Sequence, residues 1–223
     1  MTATTRLSQP VQVSLSLRGV TKSYLSRGRR TRVLDAVSLE VAPGEVVWLR
    51  GPSGSGKSSL LRIAGLLSTP DSGMVVVDGL PATTMRGAAA RRDGVGMVFQ
   101  NGNLLPDLSV RDNVAIAARR PVWGVVDRLL ADFGLEEVAA RLGKEVSGGQ
   151  AQRAALCRAM LNDPRLVLAD EPTAGLDPAN RTVVLDELSR ARRPDRAIVI
   201  ASHDDEVVRV ADRVLTIDRG RLV

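Results

Sequence analysis

Apolar residues at Val11, Val13, Leu15 and Leu17 alternate with Gln12, Ser14, Ser16 and Arg18, and the same period of two returns at Val37, Leu39 and Val41. That period predicts half-buried strands. The polar, Arg-rich stretch 26–32 between them reads as a turn, so the chain is expected to open with an antiparallel sheet. A third strand, predicted at 45–49, runs straight into a Gly/Ser-rich loop, and a helix-compatible segment follows over 57–67. Residues 69–73 read as a turn, 74–77 as a short strand and 94–99 as another strand.

From about 110 to 142 the pattern turns helical. Val125, Val126, Leu129, Leu130 and Phe133 fall on one face, with Gly134 as the stop signal. This segment reads as a small helical subdomain. Beyond it the pattern predicts a helix at 151–161, a very apolar strand at 166–169, a helix at 178–190, a buried strand at 197–201, a helix at 205–211 and a last strand at 214–217. Alternation of this kind implies a mostly parallel sheet covered on both faces. The expected fold class is α/β, with one domain over 1–223: an N-terminal antiparallel β subdomain and core over 1–100 and 151–223, and a helical insertion over about 101–150.

Composition narrows the class. With 44% hydrophobic and 25% charged residues in 223 positions, the chain can bury a sizeable core. Disorder is excluded as its main state. No stretch approaches the roughly 18–20 uninterrupted apolar residues of a membrane-spanning helix, and the opening MTATTRLSQP, with one Arg and no apolar core, is not expected to be a leader. A cytoplasmic chain is expected. The net charge of +6 comes from 31 Lys and Arg, of which only Lys22, Lys57 and Lys144 are lysines. Small clusters occur at 27–32, 91–92 and 190–193, but no long like-charge run marks a nucleic-acid arm, so no nucleic acid is expected as a partner. The single cysteine, Cys157, has no Cys or His neighbour at metal-ligand spacing and reads as a small buried hydrophobe.

GPSGSGKSS at 51–59 fits the phosphate-loop pattern, with Gly51, Gly56, Lys57 and Ser58 at its defined positions and Pro52, Ser53, Gly54, Ser55 and Ser59 completing the loop. Glycines let backbone N–H groups turn inward around a phosphate, Lys57 balances β and γ charge, and Ser58 offers a hydroxyl to Mg²⁺. RLVLADE at 165–171 delivers Asp170 and Glu171 at the carboxyl end of an apolar strand, where ligands of parallel sheets gather. Asp170 can hold Mg²⁺ through water, and Glu171 can polarise an attacking water. VSGGQAQR at 146–153 places Ser147, Gly148 and Gly149 before a helix predicted to begin at Gln150, a second anion site. If the helical subdomain holds it away from Lys57, it meets a nucleotide on another subunit, which implies a dimer.

Jointly these motifs resemble the ATP-binding subunit of an ABC transporter over essentially the whole chain. The Walker A loop is at 51–58, VFQ supplies Gln100 for the Q-loop, VSGGQ at 146–150 is the signature with Val146 where Leu is usual, and LADEPT at 168–173 is Walker B. AGLD at 174–177 resembles the D-loop and ends on Asp177, and ASHD at 201–204 puts the only histidine, His203, at the switch position. LLPDLSVRDNV at 104–114 is most similar to the branch of lipoprotein-releasing, macrolide-exporting and cell-division ATPases. The resemblance implies ATP and Mg²⁺ as cofactors, with Ser58, Gln100 and Asp170 at the metal and Glu171, His203 and Gln100 as the catalytic set. It implies that Tyr24 stacks on adenine, and that Ser147–Gln150 and Asp177 complete the nucleotide site. It further implies a homodimer or a pair with a related ATPase subunit, driving separate transmembrane permease subunits at the inner face of the membrane. The same ATPase could instead serve a non-transporting signalling complex, or act on nucleic acid; the residues leave these open.

Overall fold

The computed structural model describes residues 13–26, 28–82, 94–118 and 123–223. Val11, Gln12, Arg27, Arg91 and Arg92 lie outside these. A hairpin of β1 (Leu15–Ser26) and β2 (Arg29–Val41) opens the chain. With β4 (Ser72–Val77) and β5 (Leu80–Pro81) it forms an antiparallel sheet of order β2-β1-β4-β5. The predicted alternation holds over 37–41 of β2, but on β1 Ser14 and Ser16 are buried along with Leu15 and Leu17, because β1 lies between β2 and β4, and Val13 is only half-buried. The turn predicted over 26–32 is much tighter. Ser26 already pairs with Arg29, and Gly28 takes φ 76°. Arg30 and Arg32 are strand residues, their charges answered by Asp71 at 3.1 Å and Asp35 at 3.0 Å.

The second sheet has the order β10-β9-β3-β8-β7-β6, parallel except for the terminal β9–β10 pair. Its strands are β3 (Val46–Arg50), β6 (Val95–Val98), β7 (Leu166–Asp170), β8 (Ala197–Ser202), β9 (Arg213–Asp218) and β10 (Arg221–Leu222). β5 and β10, two residues each, carry no period that a sequence reading could detect. Alternate residues of each central strand enter different cores. Val46, Trp48, Val167, Ala169, Ile198 and Ile200 join one, and Val47, Leu49, Leu166, Leu168 and Val199 join the other. The second core takes in α1 (Lys57–Ala64) and the antiparallel sheet.

The first core is covered by α2 (Val110–Ala115), α3 (Trp123–Asp132), α4 (Gly148–Met160) and α5 (Pro178–Arg190). Val126, Leu130 and Phe133 are buried as the helical spacing predicts, but Val125 is 38% exposed and Leu129 only half-buried. The buried stripe is narrower than the sequence implied. Three other expectations change. The predicted helix 57–67 stops at Ala64: Gly65 N–H bonds Leu61 O at 2.7 Å, and Leu66 at φ 58° turns the chain out. Helix α4 begins at Gly148 and not at Gln150, because Ser147 caps it. Over 110–142, where the pattern is helical, the described residues hold α2, α3 and a short 3₁₀ turn at Glu136–Val138. Residues Asp205–Arg209 are a 3₁₀ turn capped by Asp204, where a helix over 205–211 is predicted.

Parallel, in-register pairing fixes where the loops meet. Arg50 lies opposite Ser202, Asp170 opposite Ala201, and Val98 opposite Ala169. The chain segments leaving β3, β8, β7 and β6 therefore emerge side by side at the carboxyl edge of one sheet, although more than 100 residues separate the first from the last.

Cys157 sits on the inner side of α4 with no exposed surface, and burial pushes its thiol well above the ordinary value. The thiolate is the reactive form. The native chain should therefore resist a thiol reagent at pH 8 and react with one equivalent once unfolded in urea; prompt labelling of the native chain would contradict this packing.

Candidate functional site

The loop between β3 and α1 is shaped by strands remote in sequence. Gly56 caps α1 with φ 113°, and a Cβ there would lie 2.8 Å from Val33 O. A Cβ on Gly51 would come within 2.3 Å of Ile217 O. Neither position tolerates a side chain. Gly220 N–H donates to Ser55 O at 2.9 Å, tying the loop to the chain end beyond β9. Lys57, buried at the first turn of α1, donates to Gly51 O at 2.7 Å and to Pro52 O at 3.2 Å. Its Nζ is 3.4 Å from Glu171 Oε1. The Ser55 hydroxyl is buried and, among the described residues, has no partner. An ammonium held over backbone oxygens beside an orphaned hydroxyl is a pocket suited to phosphate oxygens.

Asp170 ends β7, buried, and accepts a hydrogen bond from Ser58 Oγ at 2.8 Å. Burial pushes its carboxyl above the ordinary value, while the Ser58 hydroxyl works in the opposite sense. Glu171 follows at φ 48°, a left-handed conformation that costs a non-glycine residue about 1–3 kcal/mol. Its N–H, bonded to Ala201 O at 2.8 Å, holds it there. This turn aims the carboxylate back over the loop. Glu171 Oε2 accepts from Ser202 Oγ at 3.2 Å and lies 2.9 Å from His203 Nδ1. With Glu171 ionised, Nδ1 is the donor, and Nε2 is left as the free ring nitrogen.

Lys57, Ser58, Glu171, His203 and Gln100 thus line one cleft of about 410 Å³, together with residues 53–56, Ser59 and Val33. Asp170 lies beneath it. Val33 has no sequence signature; it reaches the cleft only because β2 crosses the loop. Tyr24 is half-exposed on β1, opposite Thr31 and with Lys22 Nζ 5.5 Å from its ring, and does not line the cleft. Ser147–Gln150 do not line it either. They form the capped start of α4: Ser147 Oγ accepts from Gln150 N–H at 3.3 Å, and Gln150 Oε1 from Ser147 N–H at 2.9 Å. This reciprocal pair is a capping box.

Asp177 caps α5 by accepting from Asn180 N–H at 2.9 Å, and its other oxygen accepts from Asn180 Nδ2 at 2.6 Å. These bonds hold its carboxyl below the ordinary value. Asn180, unmarked in the sequence, packs on Gly149 so closely that a Cβ there would lie 2.2 Å from Asn180 Oδ1. The start of α4 and the loop ending at Asp177 are thereby locked together within one chain.

A phosphate loop and a carboxylate pair at adjacent strand ends of a parallel sheet define a P-loop nucleotide hydrolase. The chain belongs to the ABC transporter family, whose model matches residues 34–174, and is an ATP-binding ATPase subunit of it. It is 42% identical to the lipoprotein-releasing system ATP-binding protein LolD 2 of Caulobacter vibrioides, over 97% of this chain and 98% of that protein. It is 41% identical to the lipoprotein-releasing system ATP-binding protein LolD of Jannaschia sp., over 95% and 98%. The structure of the ATP-binding cassette MJ0796, a dimer in a post-hydrolysis state with ADP and Pi, matches with a TM-score of 0.86 and 32% identity over 93% of this chain and 96% of that one. The branch resemblance read from the sequence agrees with these relatives.

Gly149→Ala should displace Asn180 and lower stability by about 1–3 kcal/mol, the usual cost of overpacking a tight contact. Urea denaturation measures it. Adding Asn180→Ala should recover part of the loss; unchanged stability in the single variant would show that the contact is slack.

Proposed function

We propose that the chain powers an ABC transporter of the lipoprotein-releasing type, pairing head to tail with a second ATPase subunit around two ATP molecules to drive separate membrane subunits. One observation carries the reading: the cleft that gathers Lys57, Ser58, Gln100, Glu171 and His203 leaves out Ser147–Gln150, the start of a second helix, whose positive end suits an anion. A γ-phosphate in the cleft can then meet this helix start only from another copy or a related subunit. Among the described residues no helix is long and apolar enough to cross a membrane. In this reading the subunit works at the inner face of the membrane through its partner.

In this reading residues 51–59 cradle the phosphates with their N–H groups, Lys57 neutralises β and γ oxygens, and Tyr24 stacks on adenine. Ser58 and Asp170 fit Mg²⁺: both present hard oxygens, and a carboxylate buried to 6% exposure calls for a cation. Gln100 would complete that set. Mg²⁺, when bound, offsets charge on the phosphates and helps align them. Glu171 accepts the hydrogen bond of the attacking water and sets its direction. His203, bonded to Glu171 through Nδ1, keeps the carboxylate oriented, and its Nε2 donates to a phosphate oxygen when it carries a proton. Asp177, at the capped start of α5, faces the partner copy. ATP would close the pair and hydrolysis reopen it, and this alternation biases the membrane subunits.

Tyr24→Ala should weaken ATP and GTP affinity alike by about 1–3 kcal/mol, because a stacked ring distinguishes purines poorly; titration of both nucleotides checks this, and unaltered affinity would leave Tyr24 a strand residue only. Glu171→Gln should retain ATP binding, lose most turnover and sediment as a dimer with ATP but as a monomer with ADP. A Glu171→Gln chain that binds ATP yet shows no ATP-dependent association, even with the membrane subunits supplied, would overturn the paired arrangement.

A further inference from the structure

The loop carrying Gln100 has a run of left-handed backbone. Asn101, Gly102 and Asn103 take φ of 65°, 72° and 47° in succession. The two that are not glycine are Asn, which takes this conformation more readily than other side chains, but normally as single residues and not in a run of three. Helix α4 supplies what holds them. Arg158 Nη1 donates to Asn103 O at 2.9 Å and Nη2 to Gly102 O at 2.7 Å. Nearer the helix start, Gln152 Nε2 is 3.5 Å from Phe99 O, and Gly102 presses so close that a Cβ would lie 2.7 Å from Ala151 O. Gln100 therefore stands between two anchors on one helix.

Arg158 is an unusual anchor. Burial draws its pKa below the ordinary guanidinium value, and no carboxylate opposes that shift among the described residues. A cation without a counter-ion, set against two carbonyls, is an expensive way to close a surface loop. The planar fork repays it with geometry, since two parallel donors fix both carbonyl directions where a single ammonium would fix one. The same helix carries Ser147–Gln150 at its start.

We infer that Arg158 is a positioning residue for Gln100: by gripping the carbonyls of Gly102 and Asn103 it ties the Gln100 loop to the helix that presents Ser147–Gln150, so that the two nucleotide-facing groups move as one body. The inference rests on the proposed role of Gln100 at the metal and water of bound ATP. Arg158 itself touches neither nucleotide nor metal. Its loss should lower the rate of hydrolysis and leave ATP affinity in place.

The test is hydrolysis and ATP binding by the full chain as wild type, Gln100→Ala, Arg158→Met, Arg158→Lys and the Gln100→Ala/Arg158→Met double variant. Gln100→Ala should lower kcat about tenfold or more with ATP affinity within about threefold. Arg158→Met should show the same split. The double variant should be no more than about twofold slower than Gln100→Ala alone, because both changes remove one function. Arg158→Lys should recover part of the rate by restoring one of the two hydrogen bonds. Protection of the Cys157 thiol reports that each variant is folded; if Arg158→Met exposes it, Gly102→Ala, which pushes the loop off Ala151 from the opposite side, takes its place in the cycle. Unchanged kcat in the Arg158 variants, or losses that multiply in the double variant, would overturn the inference while leaving Gln100 its role. Unchanged turnover in Gln100→Ala would instead overturn the role of Gln100, and the inference with it.

Discussion

The hydrogen bond from Ser58 Oγ to Asp170 Oδ1 joins the first turn of α1 to the end of β7 across 112 residues of chain. Everything else at the site is arranged around it. Asp170 is a carboxylate with little access to water, and its surroundings oppose the charge that its position requires. Such a group is stable only against a hydroxyl, a cation or a proton. The fold provides the hydroxyl.

The loop around that bond is rigid because its surroundings leave it no room. Gly51 is pressed by the backbone of β9 and Gly56 by that of β2, so the antiparallel sheet and the last strands of the parallel one both shape a phosphate cradle that lies between them. Glu171 is held in the same spirit. Its left-handed turn survives because β8 takes its N–H, and the reward is a carboxylate bonded to Ser202 and His203 and close to Lys57. Strain is thus kept where a reactive group must face away from the direction its strand would give it.

Helix α4 serves three ends at once. Its start is capped by Ser147, its middle carries Ala154, Ala155, Leu156 and Cys157 into the main core, and its flank holds the loop after β6. A helix committed to a core on one side cannot shift alone. Any movement of Ser147–Gln150 is therefore transmitted to Asp177 through Asn180, and to the Gln100 loop through Arg158, as a displacement of packed elements.

Much of this was legible in the chain itself. The period of two placed the first two strands and apolar runs placed the central ones, and the phosphate loop was legible because backbone cradling of phosphate admits few residue types. The acidic pair ending an apolar strand and the Ser-Gly-Gly-Gln start of a helix were visible for the same reason: local chemistry at a defined offset. What the sequence alone could not supply were features made by contact between distant segments. The Arg-rich stretch 29–32 reads as a turn until Asp71 and Asp35 are seen beside it. Val33, Asn180 and Arg158 carry no local signal, since each acts through a backbone or glycine that only the packed sheet and helices bring near. Which of the apolar positions of α3 are buried, and that Ser147–Gln150 stand outside the cleft, were likewise decided by tertiary packing, because a helical period gives a face its direction but not the neighbour it meets.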